Sequence, residues 1–290
     1  MKRLLVAFLL VVISIPFMLK ADKIKPRVNE LAPVLPYSYS QVLLSSPGLR
    51  SPAADLLFMN LCYLTGNDVF NQWKERKFTQ EEWKRLIGNV EVIEKLDPYY
   101  FDPLYYLGSY VPWKVEKNRE LLLKINSILL QGNRKIKDWR LPFFVGFNYF
   151  YFLGDKVKGA KYLKIASQME GAPPYLKLLV PRLYAESGKI DLAIAVTYEE
   201  LKRTKEGPVK KELEKRLKAL LAIKELDRAV KVYRSRFGKC PSSLQELVKS
   251  GIIRAIPEDP YGGKFYIEKG KCTVWTTSNL RPVKKPTSSR

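Results

Sequence analysis

Three small residues, Ala160, Ala193 and Ala229, stand 33 and 36 positions apart, each inside an amphipathic helical pattern. That is the period of a chain of two-helix hairpins, in which antiparallel helices approach closely only where one of them presents a small side chain. Three hairpins are expected on this frame. The first runs from Leu141 to Met169 with its turn at Gly154-Asp155, and the second from Pro174 to Lys202 with its turn at Gly188. The third runs from Val209 to Phe237, where Ala229, Val230 and Tyr233 repeat the pattern of Ala193, Ile194 and Tyr198. A glycine such as Gly188 can take the positive φ that stops a helix.

Around the middle alanine, Tyr184, Gly188, Ala193 and Ile194 supply an aromatic in the first helix, a glycine at the turn and an alanine opening the second helix. This resembles the tetratricopeptide repeat. The resemblance implies a helical-hairpin solenoid over residues 51–237, a concave partner-binding face and no chemistry of its own. The chain departs from the pattern at Gly154, one position early, at Lys164 where an aromatic is usual, and near Lys224, where no glycine separates two helices.

Upstream, Ser51 to Leu64 is expected to be a helix with Ser51 at the N-cap, Pro52 at N1 and an apolar face of Leu56, Leu57, Met59, Leu61, Cys62 and Leu64. Thr79-Gln-Glu-Glu82 is a capping box ahead of Trp83, Leu86, Ile87, Val90 and Ile93. Asp97-Pro98 ends that helix, because the residue before a proline is pushed out of the α region, and Phe101-Asp102-Pro103 opens the next.

The first 27 residues concern location. Lys2 and Arg3 precede an apolar run from Leu4 to Leu19, and Lys20, Lys23, Lys25 and Arg27 follow it. The run is shorter than the ~20 residues of an ordinary membrane span and matches a long signal-peptide core, so two readings are open: an uncleaved signal anchor, or a signal cleaved after Ala21. The anchor is favoured, with the bulk of the chain outside the cytoplasm at the bacterial inner membrane. Residues 28–50, with Pro33, Pro36 and Pro47, read as a proline-rich spacer.

Net charge is +22, from 51 basic and 29 acidic residues, which points to an acidic partner: a protein face, an anionic membrane surface or nucleic acid. Nucleic acid is the least supported. Only Asn133 to Arg140, with Trp139, interleaves cations and aromatics, whereas the lysines of Lys202 to Lys218 alternate with glutamates as on ordinary solvated helices. The balance of Lys, Arg and Glu also matches thermophile composition. Two aromatic clusters, Tyr99 to Trp113 and Phe143 to Phe152, are either core between stacked hairpins or the lining of a peptide groove. On the groove reading, Tyr105, Asn148 and Tyr151 are the partner-binding candidates.

The chain has no histidine, which removes Ser-His and Cys-His catalysis and histidine metal sites together. Gly154 to Lys161 imitates a phosphate loop but has Ala160 where the lysine belongs. No catalytic residue, metal or cofactor is expected; a cell-wall-acting enzyme with paired carboxylates is the last alternative, after a peptide- or acidic-polymer-binding module.

From residue 238 to 280 the composition changes to a short helix, a proline turn and a β-hairpin. Phe237-Gly-Lys-Cys-Pro241, Leu244, Leu247, Ile256-Pro257, Asp259-Pro-Tyr-Gly-Gly263 and Phe265-Tyr266 resemble the C-terminal part of the type II secretion major pseudopilin. The first 47 residues hold no glycine for a prepilin cleavage site, and the aspartates that would bind calcium are missing after Tyr266, so the chain is not itself a pilin. A convergent hairpin cap is the other reading. Cys240 and Cys272 flank this module, and a bond between them would close a loop worth roughly 3 to 4 kcal/mol in the chain-entropy model and imply an oxidising compartment. Residues 281–290 read as a basic disordered tail. The whole is expected to be a mainly α, membrane-anchored scaffold of the cell envelope, holding membrane or secretion components together, with a small α+β cap.

Overall fold

A computed structural model describes residues 34–45, 48–66, 78–268 and 270–281. The expected anchor over 1–27, residues 28–33 of the spacer and 282–290 of the tail lie outside them. Among the described residues no helix is long and apolar enough to cross a membrane. The chain divides into two compact units, Met1–Pro103 and Leu104–Arg290.

In the first unit, α1 (Tyr39–Ser45) and α2 (Arg50–Gly66) each pack against α3 (Gln80–Leu96). The capping box starts α3: Thr79 Oγ1 accepts from the Glu82 N–H at 3.2 Å, and the Glu82 carboxylate accepts from the Thr79 N–H at 2.8 Å. Asp97 caps its other end, as the following proline requires. Asn89, buried in α3, accepts from the Tyr37 N–H and donates to the Leu35 carbonyl, which ties the incoming chain to the core.

Two upstream expectations need correction. The Ala53 N–H donates to the Leu49 carbonyl at 3.0 Å, so the cap of α2 is Leu49, and Ser51 sits within the first turn, where Pro52 is still tolerated. Cys62, expected in the core, is exposed, as are Leu56 and Met59. The helix is apolar around most of its circumference, but α3 covers only the side carrying Ala53, Ala54, Leu57, Leu61 and Leu64.

In the second unit, α4 (Phe101–Ser109, beginning in the first unit) leads through α5 (Val111–Lys114) to α6 (Arg119–Ile136). Then come α7 (Arg140–Phe147), which continues into a π-helical turn (Asn148–Phe152), α8 (Lys156–Ser167), α9 (Leu176–Glu186), α10 (Ile190–Arg203) and α11 (Pro208–Phe237). From α6 to α11 each helix packs on the next. The turns are built where the sequence put them: Gly154 and Gly188 have φ of 67° and 72°, and the Asp155 carboxylate caps α8 by accepting from the Lys158 N–H. Ala160, Ala193, Ala229 and Tyr184 are buried in one continuous core.

The third hairpin does not exist. Residues 208–237 form one helix of 30 residues, about 45 Å long at 1.5 Å per residue. From Val209 to Phe237 there is no glycine or proline to break it, and Gly238, with φ of 71°, ends it. Ala229 is therefore a packing position on a continuous helix. The last elements, α12 (Leu244–Lys249) and the antiparallel pair β1 (Phe265–Ile267) and β2 (Val274–Thr276), set Phe265 against Thr276 and Ile267 against Val274. Leu244, Leu247, Tyr261, Phe265 and Val274 join the core of the hairpins, so this segment is part of the second unit.

Candidate functional site

The site is built on two places where glycine lets backbone come close. A Cβ added at Gly146 of α7 would lie 2.9 Å from the Leu163 nitrogen and 3.0 Å from the Gly159 carbonyl oxygen of α8. One added at Gly159 would lie 2.8 Å from the Phe150 Cβ. The two helices thus cross through paired glycines. At Gly108 of α4 the added Cβ would meet the Phe144 ring at 2.4 Å, so that ring lies directly on bare helix backbone. These contacts fix α7 and its π turn rigidly enough to present a row of rings.

The row is continuous. Tyr105 meets Phe144 at 5.5 Å between centroids, Phe144 meets Phe143 at 5.7 Å, Phe143 meets Phe147 at 6.1 Å, and Phe147 stacks on Tyr151 at 5.2 Å with planes 12° apart. Trp113 of α5 closes the far end against Tyr151 at 5.4 Å and Phe152 at 5.0 Å. Such contacts add stability beyond area burial, about 0.5 to 1.5 kcal/mol per pair, which makes the row stiff. Stiffness alone would make it core. Yet Tyr105 is 43 %, Trp113 50 % and Tyr151 56 % exposed, so one edge of the row is surface.

A cation borders it. The Arg140 guanidinium lies 5.8 Å from the Tyr105 centroid. The Lys114 ammonium lies 5.3 Å from the centroid of Tyr110, which stacks on Tyr106 and is not a member of the row. Arg140 is held by a two-point bond to Asp138, at 2.8 and 2.7 Å, and those bonds push the Asp138 carboxyl below its ordinary value against the opposing effect of burial.

Of the three sequence candidates, Tyr105 and Tyr151 belong to the one connected set of rings. Asn148 does not. It is 1 % exposed, and its Nδ2 donates to the Asn126 Oδ1 of α6 at 2.8 Å, so it faces the interior behind the rings. Trp113, Phe144 and the Gly146–Gly159 crossing carry as much of the surface, and the linear pattern joins none of them to Tyr151. The available signal was the pair of glycines, each close in sequence to an aromatic run.

A second feature is a cleft of about 710 Å³ where the Gly188 turn meets α11 and the β-hairpin, lined by Lys156, Arg182, Glu186, Asp227, Glu268 and Lys271 among others. Its charges are engaged with one another. Lys156 Nζ and Arg182 Nε donate to the two oxygens of Glu186 at 2.8 and 2.7 Å; burial pulls that carboxyl up, and the two cations outweigh it and leave it lowered. Asp227 accepts from the Val274 N–H at 2.6 Å, pinning β2 to α11, and burial raises its carboxyl above the ordinary range. Nearby, Cys240 and Cys272 are bonded, with Cα atoms 5.9 Å apart, joining the entry of the terminal segment to its hairpin. Among the described residues no group of three metal-ligating side chains comes together.

No protein-family model matches the chain, and no curated protein does. Among solved structures, a thermophilic TPR protein of Thermus thermophilus is similar at 19 % identity and a TM-score of 0.32, over 63 % of this chain and 99 % of that one. The hairpin architecture described above rests on the chain's own helix packing; the described residues are mainly α with one small antiparallel strand pair.

Proposed function

We propose that this chain is a non-catalytic scaffold, anchored in the bacterial inner membrane by residues 4–19, that captures an acidic, extended segment of a partner protein on the ring surface of its second unit. The observation that carries the reading is the continuous row from Tyr105 to Trp113 with three rings open to solvent. Rigid aromatics give contact area at little entropic cost, and partner hot spots concentrate on them. The bordering Arg140, together with a net charge of +22, favours an acidic occupant. The likeness of residues 237–266 to a pseudopilin segment makes a secretion or pilus-related complex the first partner to examine.

The test is capture from crosslinked membranes by the full chain and by its Trp113→Ala and Tyr151→Ala variants, with melting temperature measured alongside. Capture should fall while each variant still folds, with a loss of about 1.5 to 4.5 kcal/mol for the three ring contacts that Trp113 or Tyr151 gives up. Undiminished capture by both variants would sink the reading.

A further inference from the structure

Helix α2 carries an apolar face that no described residue of its own unit covers. Its stripe of Leu56, Met59 and Tyr63, at the i, i+3, i+7 spacing of one helix side, is 67 %, 65 % and 52 % exposed. The opposite side, with Leu57, Leu61 and Leu64, is buried on α3. Beside the stripe an open groove of about 680 Å³ runs between α1 and α2, lined by Leu35, Pro36, Val42 and Leu56 and, among polar side chains, by Gln41 and Asn60. Leu44, near the end of α1, and Leu49, just ahead of α2, are 82 % and 56 % exposed. Exposed large apolar side chains gathered on one side of a helix mark a contact surface.

The chemistry of the surface limits what that is. Residues 34–66 contain two charged side chains, Arg50 and Asp55, in a protein whose composition is 28 % charged. An acidic partner of the kind suited to the ring surface has only Arg50 to pair with here. Position along the chain narrows it further. The apolar run ends at Leu19, and the 15 residues from there to Val34 span at most about 50 Å even fully extended. With the run in a bilayer, as the proposed function has it, this sparsely charged face, with Asp55 at its edge, is held within reach of the headgroup and acyl boundary. Lys20, Lys23, Lys25 and Arg27, on the intervening stretch, suit an anionic headgroup layer.

We infer that the outer face of α2, with the adjoining α1–α2 groove, lies in the membrane interface. Leu56, Met59 and Tyr63 enter the acyl boundary parallel to the surface, as the apolar side of an interfacial helix does. The first unit is thereby a foot resting on the lipid, and the inference rests on the anchorage part of the proposed function.

The test uses full-length protein in vesicles of phosphatidylcholine and phosphatidylglycerol, with an environment-sensitive fluorophore at Met59→Cys in a Cys62→Ser background. The control site is Glu81→Cys, at the exposed start of α3. The label at position 59 should be quenched several-fold more by lipids brominated on the acyl chain than the label at 81, and should be shielded from aqueous iodide. If the protein sediments with the vesicles but position 59 is as open to iodide as 81, the interface contact is refuted while anchorage stands. Shielding from iodide without bromolipid quenching, accompanied by 59-to-59 disulfide crosslinks when the unlabelled Met59→Cys, Cys62→Ser protein is oxidised in the same vesicles, overturns it in favour of a second copy on this face. Failure to sediment with vesicles overturns both the contact and the anchorage beneath it.

Discussion

The Arg216 Nε donates to the Tyr261 hydroxyl at 2.9 Å, between a guanidinium and a phenol that are both buried. This one contact joins the middle of the 30-residue helix to the proline turn of the terminal segment. A second Arg216 nitrogen donates to the Leu178 carbonyl at 2.8 Å, so the arginine also reaches back to α9. Burial pushes the Tyr261 hydroxyl up to about 12, with the Arg216 charge acting in the other direction, so the phenol is neutral at any working pH. Tyr261→Phe keeps the ring and strands a buried charged donor, which costs about 1 to 3 kcal/mol. Urea denaturation should show a loss in that range, and an unchanged midpoint would mean that water reaches Arg216.

The Gly146–Gly159 crossing sets two effects against each other. Alanine at Gly146 gains up to about 1 kcal/mol of helix propensity. Its methyl would sit 2.9 Å from the Leu163 nitrogen and 3.0 Å from the Gly159 oxygen, and backbone cannot yield as a side-chain tip can. Overpacking costs of about 1 to 3 kcal/mol then win, and Gly146→Ala should be destabilised overall. Ala193→Leu, at a fully buried position, should cost a similar amount. A Gly146→Ala protein more stable than wild type would show that the helices can part without penalty.

Glu200 of α10 is 3 % exposed, with the Lys177 ammonium of α9 at 3.8 Å. Its Oε1 has no hydrogen-bond partner among the described residues. Burial raises its carboxyl above the ordinary value, against the pull of Lys177, with a push from Glu199 that exceeds either of the weaker pulls of Arg203 and Lys164. The folded chain then holds this proton over a pH window in which the unfolded chain has released it. Its contribution is present below the ordinary carboxyl range and is lost as pH rises through the folded value. The lowered carboxyl of Glu186 works in the opposite sense, losing its contribution as pH falls through its folded value. Glu200→Gln removes only the first effect, so its melting temperature relative to wild type should climb from acid to neutral pH. A difference that stays flat across that range would be inconsistent with a raised Glu200.

The alanine period, the glycine turns and the capping box were legible because each acts within a few residues. Gly188 stops a helix whatever lies beyond it, and Thr79 and Glu82 bond each other across a single turn. The same local logic failed at 208–237, where a period borrowed from the neighbouring hairpins suggested a break that no glycine or proline supplies.

What the sequence by itself determined is therefore the helical class, most turn positions and the small alanines that let hairpins close, all of them properties of backbone conformation and local side-chain size. Only the tertiary structure decided which side of an apolar helix is covered. Leu56 and Leu57 are adjacent and chemically alike, and packing on α3 buries one and leaves the other in the open. The same holds for the aromatics: Asn148 turns inward to Asn126 while Tyr151 turns outward onto Phe147 and Trp113, because the glycine crossing with α8 and the π turn fix which side of that helix faces solvent. Exposure is a property of the neighbours a residue finds, and those neighbours come from distant parts of the chain.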